Sequence, residues 1–551
     1  MSAKVRLYLV ATLLALGLGI ALTKAGTLQL LRGSKLKHLA ERQYIRPKLY
    51  GNYRGDILDR KGRLLASSVS VDSVYAEPKR INNATQVVKS LGKAIRLNRV
   101  QIEKLSSDRS FIWLKRRIDP NTANKVRNMD LEGIGLAEER QRFYPNHGLL
   151  GQTLGFVSID GQSLGGIEQA FERYLKPKSW KTLALQDARG NPIRQHVSPP
   201  EEALAGNDIM LTIDRNIQSV TEEILQKTVK KHGAKAGWAI VMKPKTGEIL
   251  ALANVPLMNP NRPSKHDQKA RRNNAISLTR EPGSTFKIMT FAAAYDLGLV
   301  KPDEKIYCEK GRWNLGYMTI KDVSKKEWLT PAEIFKYSSN VGTYKIAERI
   351  GPKRLYETIK KFGFGELPGL HLLEEAPGFV SNYKSWHKTR FANMSFGYGL
   401  MASPLQVVMM VNTIANDGLK VSPAILKGIH KHGADTLANP LPSSAPIQVI
   451  SKEAAQAVKN MMLVEYGHKG SARRAAIPGM LIAGKTGTAE KLDDTGRYNK
   501  KLNISSFVGF APANNPQIVA LVSIDEPQGI AFGGYVAAPA WREIVEAALL
   551  E

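Results

Sequence analysis

Arg280-Glu281-Pro282-Gly283-Ser284-Thr285-Phe286-Lys287, continued by Ile288-Met289-Thr290-Phe291-Ala292-Ala293-Ala294-Tyr295, is the stretch from which the rest of the chain is read. Pro282 and Gly283 suit a turn into a helix, and Ala, Met, Ile and Phe fill its body as in a buried helix. Gly298 is the stop signal. Ser284 and Lys287, three residues apart, share one face of the first turn and can touch. A serine hydroxyl becomes a nucleophile when a base lies within reach, and a lysine becomes that base when its charged form is made costly. The partly positive helix start lowers the lysine pKa and welcomes an oxyanion. The alternative is an N-cap serine beside a solvated lysine. Ser-x-x-Lys also occurs at Ser34/Lys37, Ser90/Lys93, Ser381/Lys384 and Ser385/Lys388, which read as surface residues. The Pro-Gly turn and the alanine-rich helix distinguish Ser284.

Two further stretches carry chemistry. Pro331-Ala332-Glu333-Ile334-Phe335-Lys336-Tyr337 is a helical lead-in to Ser338-Ser339-Asn340. On a tight loop Ser338 and Asn340 point into one cleft, where a hydroxyl relays a proton and an amide holds a carbonyl. Read alone, the tripeptide is equally a turn or a cap. Met480-Leu481-Ile482-Ala483-Gly484-Lys485-Thr486-Gly487-Thr488 is an apolar strand opening into Lys-Thr-Gly-Thr. At a sheet edge it presents a cation, two hydroxyls and backbone N–H groups to a carboxylate and an adjacent carbonyl. Lys245-Thr246-Gly247 is a second copy, read as a hairpin turn behind Pro244. Gly479-x-x-x-x-Gly484-Lys485-Thr486 matches a phosphate-loop pattern. Its apolar residues lie inside the loop positions and no helix pattern follows, so nucleotide binding is set aside.

The 551 residues hold two or three domains, and their 43% hydrophobic and 23% charged composition is that of a globular protein. Cys308 is the only cysteine, which excludes an internal disulfide and a thiolate metal cluster. A net charge of +30 predicts attraction to lipid head groups or acidic polymers. Zinc-finger spacing and interleaved aromatics and arginines are both lacking, so nucleic acid is disfavoured. Residues 7–22 carry no charge, and extension to Leu31, with Lys24 reaching the interface, gives enough length for an uncleaved membrane anchor. A cleaved signal peptide is the rival, and the flanking lysines and arginines do not fix orientation.

Further along, residues 32–53 read as a basic, helix-permissive stalk and Asp59-Arg60-Lys61-Gly62 as a hairpin turn. Residues 149–166 form a glycine-punctuated bend and Pro199-Pro200-Glu201-Glu202 a linker. Strands are expected at 208–214, 237–242, 248–253, 506–510 and 518–524. Helices are expected at 217–229, through much of 287–417, and at 539–550.

In order, Ser-x-x-Lys, Ser-x-Asn and Lys-Thr-Gly on helix start, loop and strand resemble the penicillin-binding proteins. Arg54-Gly55, Asp59-Arg60-x-Gly62, Leu154-Gly155-Phe156-Val157 and Thr246-Gly247-Glu248-Ile249-Leu250-Ala251 extend the resemblance to class B, the D,D-transpeptidases of peptidoglycan synthesis. Phe396-Gly397-Tyr398-Gly399-Leu400 and Gly533-Gly534-Tyr535 are most similar to its division-specific, septal branch. The resemblance implies an α+β chain in three parts: a transmembrane anchor and basic stalk (1–45), an elongated α/β pedestal of the dimerisation type (46–205), and a transpeptidase domain (206–551). The last has an antiparallel sheet flanked by helices, as in serine β-lactamases.

By the same resemblance Ser284 attacks the D-alanyl-D-alanine carbonyl of a donor stem peptide, and Lys287 takes its proton. Ser338 passes a proton to the departing amine, Asn340 holds a carbonyl or the lysine network, and Lys485 keeps Lys287 neutral by repulsion. Thr486, Gly487 and Thr488 bind the substrate's end, and the N–H groups of Ser284 and Thr488 form the oxyanion hole. A neighbouring stem peptide is the acceptor, with no metal or cofactor. β-Lactams acylate the serine. The expected partners are a polytopic membrane glycosyltransferase, other division proteins and the membrane itself, with the catalytic domain outside the cytoplasmic membrane. A β-lactamase, a β-lactam sensor and a non-catalytic scaffold are the competing readings. No convincing deacylating glutamate or inner signalling segment is found, and the trio is intact.

Overall fold

The computed structural model describes residues 2–36, 45–50, 53–177, 180–186, 192–194, 205–430, 437–438, 445–464, 470–493 and 495–551. The linker expected at 199–202 and the middle of the stalk lie outside them. Two units are formed, Met1–Tyr53 with Pro177–Gly206, and Arg54–Lys176 with Asn207–Glu551.

In the first unit, helix Ala3–Gly26 runs into a wider turn, Thr27–Leu31. Its apolar stretch Ala3–Leu30 is 28 residues long, about 42 Å at 1.5 Å per residue, which exceeds the hydrocarbon core of a bilayer. Thr12, Thr23 and Thr27 return their hydroxyls to carbonyls one turn earlier, so these three hydroxyls need no water. Ile45–Tyr50, expected within a helix-permissive stalk, is instead a strand paired with Trp180–Gln186. That partner is more than a hundred residues away in the chain, where local helix preference has no influence.

In the second unit, strands Ile57–Leu58, Leu64–Ala76, Ile112–Ile118 and Ile134–Phe143 share a sheet with Asp208–Leu211 and Leu426–His430. The turn at Asp59–Gly62 joins the first two, as expected, and the Asp59 carboxylate accepts the N–H groups of Lys61, Arg63 and Arg215. Helices Ala84–Leu91, Arg99–Leu105 and Pro120–Arg127 are capped by Asn83, Asn98 and Asp119 over a small apolar core of their own.

The second sheet is antiparallel and carries the site. Its strands are β1 (Ala236–Met242), β2 (Ile249–Val255), β3 (Leu463–Val464), β4 (Ile482–Leu492), β5 (Tyr498–Ala511) and β6 (Ile518–Asp525), in the order β2-β1-β6-β5-β4-β3. Arg215–Lys231 and the last helix cover one face, and Pro404–Ala415 leads the helical layer on the other. Buried against that layer is α1 (Lys287–Asp296). The expected helical run of 287–417 continues with α2 (Pro331–Tyr337) and α3 (Asn340–Ile350). Two short strand pairs interrupt it, Ile306–Tyr307 with Trp328–Leu329 and Arg312–Asn314 with Thr319–Lys321.

The last helix, α4, spans Gly533–Leu550 and so starts six residues before the expected Pro539. A Cβ on Gly533 would meet Gly487 O at 2.3 Å, and one on Gly534 would meet Ser471 O at 1.9 Å. Only a glycine pair allows this helix start to close on β4, and that packing carries the helix through Pro539.

Glu168 joins the two ends of the Arg54–Lys176 segment. Fully buried, it accepts Arg54 Nε and Arg142 Nε at 2.6 Å each. Burial pushes its carboxyl up, but Arg142 and Arg54 together hold it below the usual range. Glu168→Gln removes the charge that both buried guanidiniums answer, so a loss of roughly 3–5 kcal/mol is expected in chemical denaturation. A change within 1 kcal/mol of zero, on the scale of an exposed pair, would show that the cluster holds little of the fold.

Candidate active site

Gly283–Phe286 is one turn of 3-10 helix leading into α1, tighter than the α-helical first turn that the spacing predicts. In a 3-10 turn positions i and i+3 eclipse, so Ser284 and Lys287 project the same way. Backbone contacts seat the turn: Gly283 N donates to Gly397 O at 3.0 Å. Glu281, just before it, accepts Gly399 N at 2.7 Å and the Tyr498 hydroxyl at 2.8 Å. Beneath lies Gly487 of β4, where a Cβ would stand 2.8 Å from Thr285 Cγ2. Its missing side chain lets the strand approach the nucleophile turn.

The Ser-x-Asn loop is held by two helix ends. α2 opens with a Thr330–Glu333 capping box and closes on Ser338, whose φ of +57° is left-handed. A non-glycine residue held there stores strain, as loops at reactive sites do. Ser339 caps α3 through Gly342 N, at 2.9 Å. Ser338 is thus fixed between two helices with its hydroxyl in the cleft.

There it meets both lysines. Lys287 Nζ donates to Ser338 O at 2.6 Å and Asn340 Oδ1 at 2.7 Å, and lies 3.0 Å from Ser338 Oγ. Lys485 Nζ is 3.1 Å from Ser338 Oγ and 3.1 Å from Thr486 O. The ammonium heads are taken out of water, with 0% of Lys287 and 2% of Lys485 exposed. Burial, and then the charge of Lys485, hold Lys287 well below the ordinary lysine range, with Asp322 acting the other way. Burial pushes Lys485 down to about 7. Repulsion between the lysines, expected to be what keeps Lys287 neutral, is therefore second to desolvation.

The donor inventory then orders the protons. A neutral amine has two hydrogens and a lone pair, and Ser338 O and Asn340 Oδ1 can only accept. They take both hydrogens of Lys287. Its lone pair is left for a hydroxyl, either Ser338, oriented by Lys485, or Ser284. Among the described residues no hydrogen bond joins Ser284 to Lys287.

Gly484 N donates to Met462 O at 2.8 Å where β4 meets the short β3. Ladder alternation turns the N–H groups of Thr486 and Thr488 the same way, beyond the end of β3, so they line an open edge. Gly533 N donates to Thr488 Oγ1 at 3.1 Å, which leaves that hydroxyl's hydrogen for a ligand. Beside the edge a cavity of about 250 Å³ is lined by Phe335, Met462, Ser471 and Lys485. A larger cavity, about 650 Å³, lies elsewhere, against Lys245 and Thr246. That copy of Lys-Thr-Gly is the expected turn between β1 and β2, and neither Ser284 nor Lys287 lines the cavity beside it. β4 runs straight through Lys485 with no helix, so the phosphate-loop pattern is accidental.

Asp322 was not legible in the sequence. It accepts Asn340 N at 2.6 Å and Val341 N at 3.0 Å. An aspartate eighteen residues before Asn340, at the end of a hairpin, has no local signature. Among the described residues no three His, Cys, Asp or Glu side chains converge as metal ligands.

A strained serine loop, two buried lysines around one hydroxyl and an open strand edge are the features of a serine acyl-transfer site. The penicillin binding protein transpeptidase domain matches residues 237–546, and the penicillin-binding protein dimerisation domain matches residues 51–211. The chain is 33% identical over 522 residues to the probable peptidoglycan D,D-transpeptidase PenA of Neisseria meningitidis, covering 93% of this chain and 87% of that one. It is 32% identical over 549 residues to the peptidoglycan D,D-transpeptidase FtsI of Escherichia coli, covering 98% and 90%. A peptidoglycan synthetase from Bifidobacterium adolescentis superposes with a TM-score of 0.72 at 27% identity, over 92% and 96% of the two chains. The chain belongs to the class B penicillin-binding proteins.

Acylation by benzylpenicillin is expected to fall on the acid side as Lys287 takes up a proton and stops being a base. On the alkaline side it should fall as Lys485, depressed to about 7, loses the charge that draws a carboxylate. The second-order acylation rate measured from pH 5 to 9 checks both limbs, and a flat profile would remove the lysine pair from the rate.

Proposed function

We propose that this protein cross-links peptidoglycan as a serine D,D-transpeptidase of the septal wall. The observation that carries the reading is the single hydroxyl of Ser338 lying 3.0 Å from Lys287 Nζ and 3.1 Å from Lys485 Nζ. A proton can then move between nucleophile, base and leaving group without crossing solvent. Ser284 Oγ attacks the carbonyl between the donor's two terminal D-alanines, and its proton passes to Lys287. The oxyanion faces the N–H groups of Ser284 and Thr488, a pair whose loss costs roughly 3–4 kcal/mol per donor. As the tetrahedral carbon collapses, the C–N bond breaks and the D-alanine amine receives the proton from Lys287 through Ser338. Asn340 holds Lys287 in place. Lys485, Thr486 and Thr488 take the terminal carboxylate, and Gly487 keeps the strand close enough for them to do so. The amine of a second stem peptide then attacks the ester, gives up its proton along the same route, and restores Ser284.

The septal assignment rests on the resemblance of residues 396–400 and 533–535 to the division branch. With a wall peptide as substrate, the anchor helix holds the catalytic unit outside the cytoplasmic membrane. A polytopic glycosyltransferase that supplies glycan strands is the fitting membrane partner.

Mass spectrometry after penicillin labelling should show one adduct, on Ser284, lost in Ser284→Ala. In intact cells a fluorescent penicillin bound to this protein should concentrate at mid-cell. An adduct elsewhere would sink the nucleophile, and a lateral signal would move the enzyme to elongation. The two Lys-Thr-Gly copies should separate cleanly. Lys485→Ala should slow acylation at least roughly 100-fold, since it strips the cation from a desolvated site. Lys245→Ala, on an exposed turn, should leave it unchanged. Equal effects would mean that the substrate strand is misplaced.

A further inference from the structure

The hairpin Arg312–Asn314/Thr319–Lys321 ends in Asp322, and that carboxylate meets the Ser-x-Asn loop along its length. Oδ1 accepts Asn340 N at 2.6 Å and Val341 N at 3.0 Å, and Oδ2 accepts the Ser339 hydroxyl. The preceding residue joins in, since Lys321 O accepts Asn340 Nδ2 at 2.9 Å. All four contacts fall on the three residues that follow Ser338. Asn340 is therefore held on both its backbone and its amide nitrogen, which aims its Oδ1 at Lys287. Ser339, only 2% exposed, shares its hydroxyl between Asp322 and Gly342 N. The hairpin itself is fastened, with Asp322 N on Gly311 O at 3.0 Å and the hydroxyls of Tyr317 and Tyr344 3.0 Å apart.

We propose that Asp322 is a positioning residue of the transpeptidase reaction, which clamps the Ser-x-Asn loop and sets a carboxylate against the network that holds Lys287. The inference rests on the reading of Lys287 as the base. Without a carboxylate at this place, Asn340 N and Val341 N at the start of α3 are unanswered, and the strained Ser338 loop loses one of its supports. The charge has a second effect. Lys287 is acted on by Lys485 from β4, which favours the neutral amine, and by Asp322 from the hairpin, which favours the ammonium. Ser338 and Asn340 from the loop and Ser284 from its own turn carry no charge. Around Asp322 itself stand Cys308, whose thiol burial pushes up to about 11, and the Lys345–Glu309 ion pair at 2.6 Å. The thiol is neutral and the pair offsets its own charge. Asp322 and Lys485 thus act on Lys287 in opposite directions.

Asp322→Asn separates clamp from charge. An asparagine oxygen still accepts both N–H groups and its amide can donate to Ser339 Oγ, but the negative charge is gone. In the full-length protein, with benzylpenicillin as probe, the acid limb of the acylation profile should move to lower pH by roughly half to one unit. The plateau rate should stay within about threefold of the parent, because the clamp is kept. Asp322→Ala, which loses both, should fall roughly 10–100-fold at the plateau. The fraction of molecules acylated at long times checks that each variant is folded. If Asp322→Ala proves unfolded, Asp322→Asn alone decides. An Asp322→Asn profile superimposed on the parent's, with a normal Ser284 adduct, overturns this inference and leaves the transpeptidase reading standing. A parent protein that forms no Ser284 adduct overturns both.

Discussion

Two lysines are buried around one serine hydroxyl, and the rest of the catalytic unit answers to that constraint. Two ammonium groups cannot share a dry cleft, so one gives up its proton. Which one is decided by surroundings. Lys287 is fully enclosed by the helical layer, and the charge of Lys485 adds to the effect of its desolvation. Lys485 sits at a sheet edge that opens to ligand. In the proposed mechanism this asymmetry makes one amine the base and the other the anchor for negative charge. In both, burial outweighs any neighbouring charge.

Holding that arrangement needs three chain segments at near-contact distance, and the fold achieves it by backbone approach. β4 presses on the Ser284 turn at Gly487, and α4 presses on β4 at Gly533 and on Ser471 at Gly534. Each contact leaves no room for a Cβ, so a methyl group at any of them would displace the strand that carries Lys485 and the open N–H groups. The Ser338 loop is positioned differently, by helix caps and the Asp322 carboxylate. One side of the cleft is therefore set by close packing and the other by hydrogen bonds.

The large positive charge belongs to a different length scale. Among the described residues most of it lies on exposed side chains, while Lys287 and Lys485 are enclosed in the catalytic unit. Exposed charge acts through the field at the membrane and wall, over about a Debye length, and is screened by salt. The buried pair is screened far less, which is why its protonation follows the fold and not the medium.

Much of this was legible from residue order alone. Pro282-Gly283 and the alanine-rich run determined a buried helix behind Ser284. The apolar residues before Lys485 determined a strand, and the charge-free N-terminal stretch, extended through Lys24 to Leu31, determined a helix long enough to cross a bilayer. These are local patterns, written within a dozen residues, where periodicity and turn chemistry act. The three motifs also named the side chains of the proposed mechanism, and the fold brings Lys287, Ser338, Asn340 and Lys485 together. What the sequence could not determine depends on contacts far apart in the chain. The strand at Ile45–Tyr50 exists only because Trp180–Gln186 lies beside it. α4 begins at Gly533 because β4 and the residues before it leave a slot for two glycines. Asp322, which no motif marks, reaches the Ser-x-Asn loop only through the hairpin that delivers it. The depression of both lysines is likewise a tertiary property, since desolvation is measured by what surrounds a charge and not by what neighbours it in sequence.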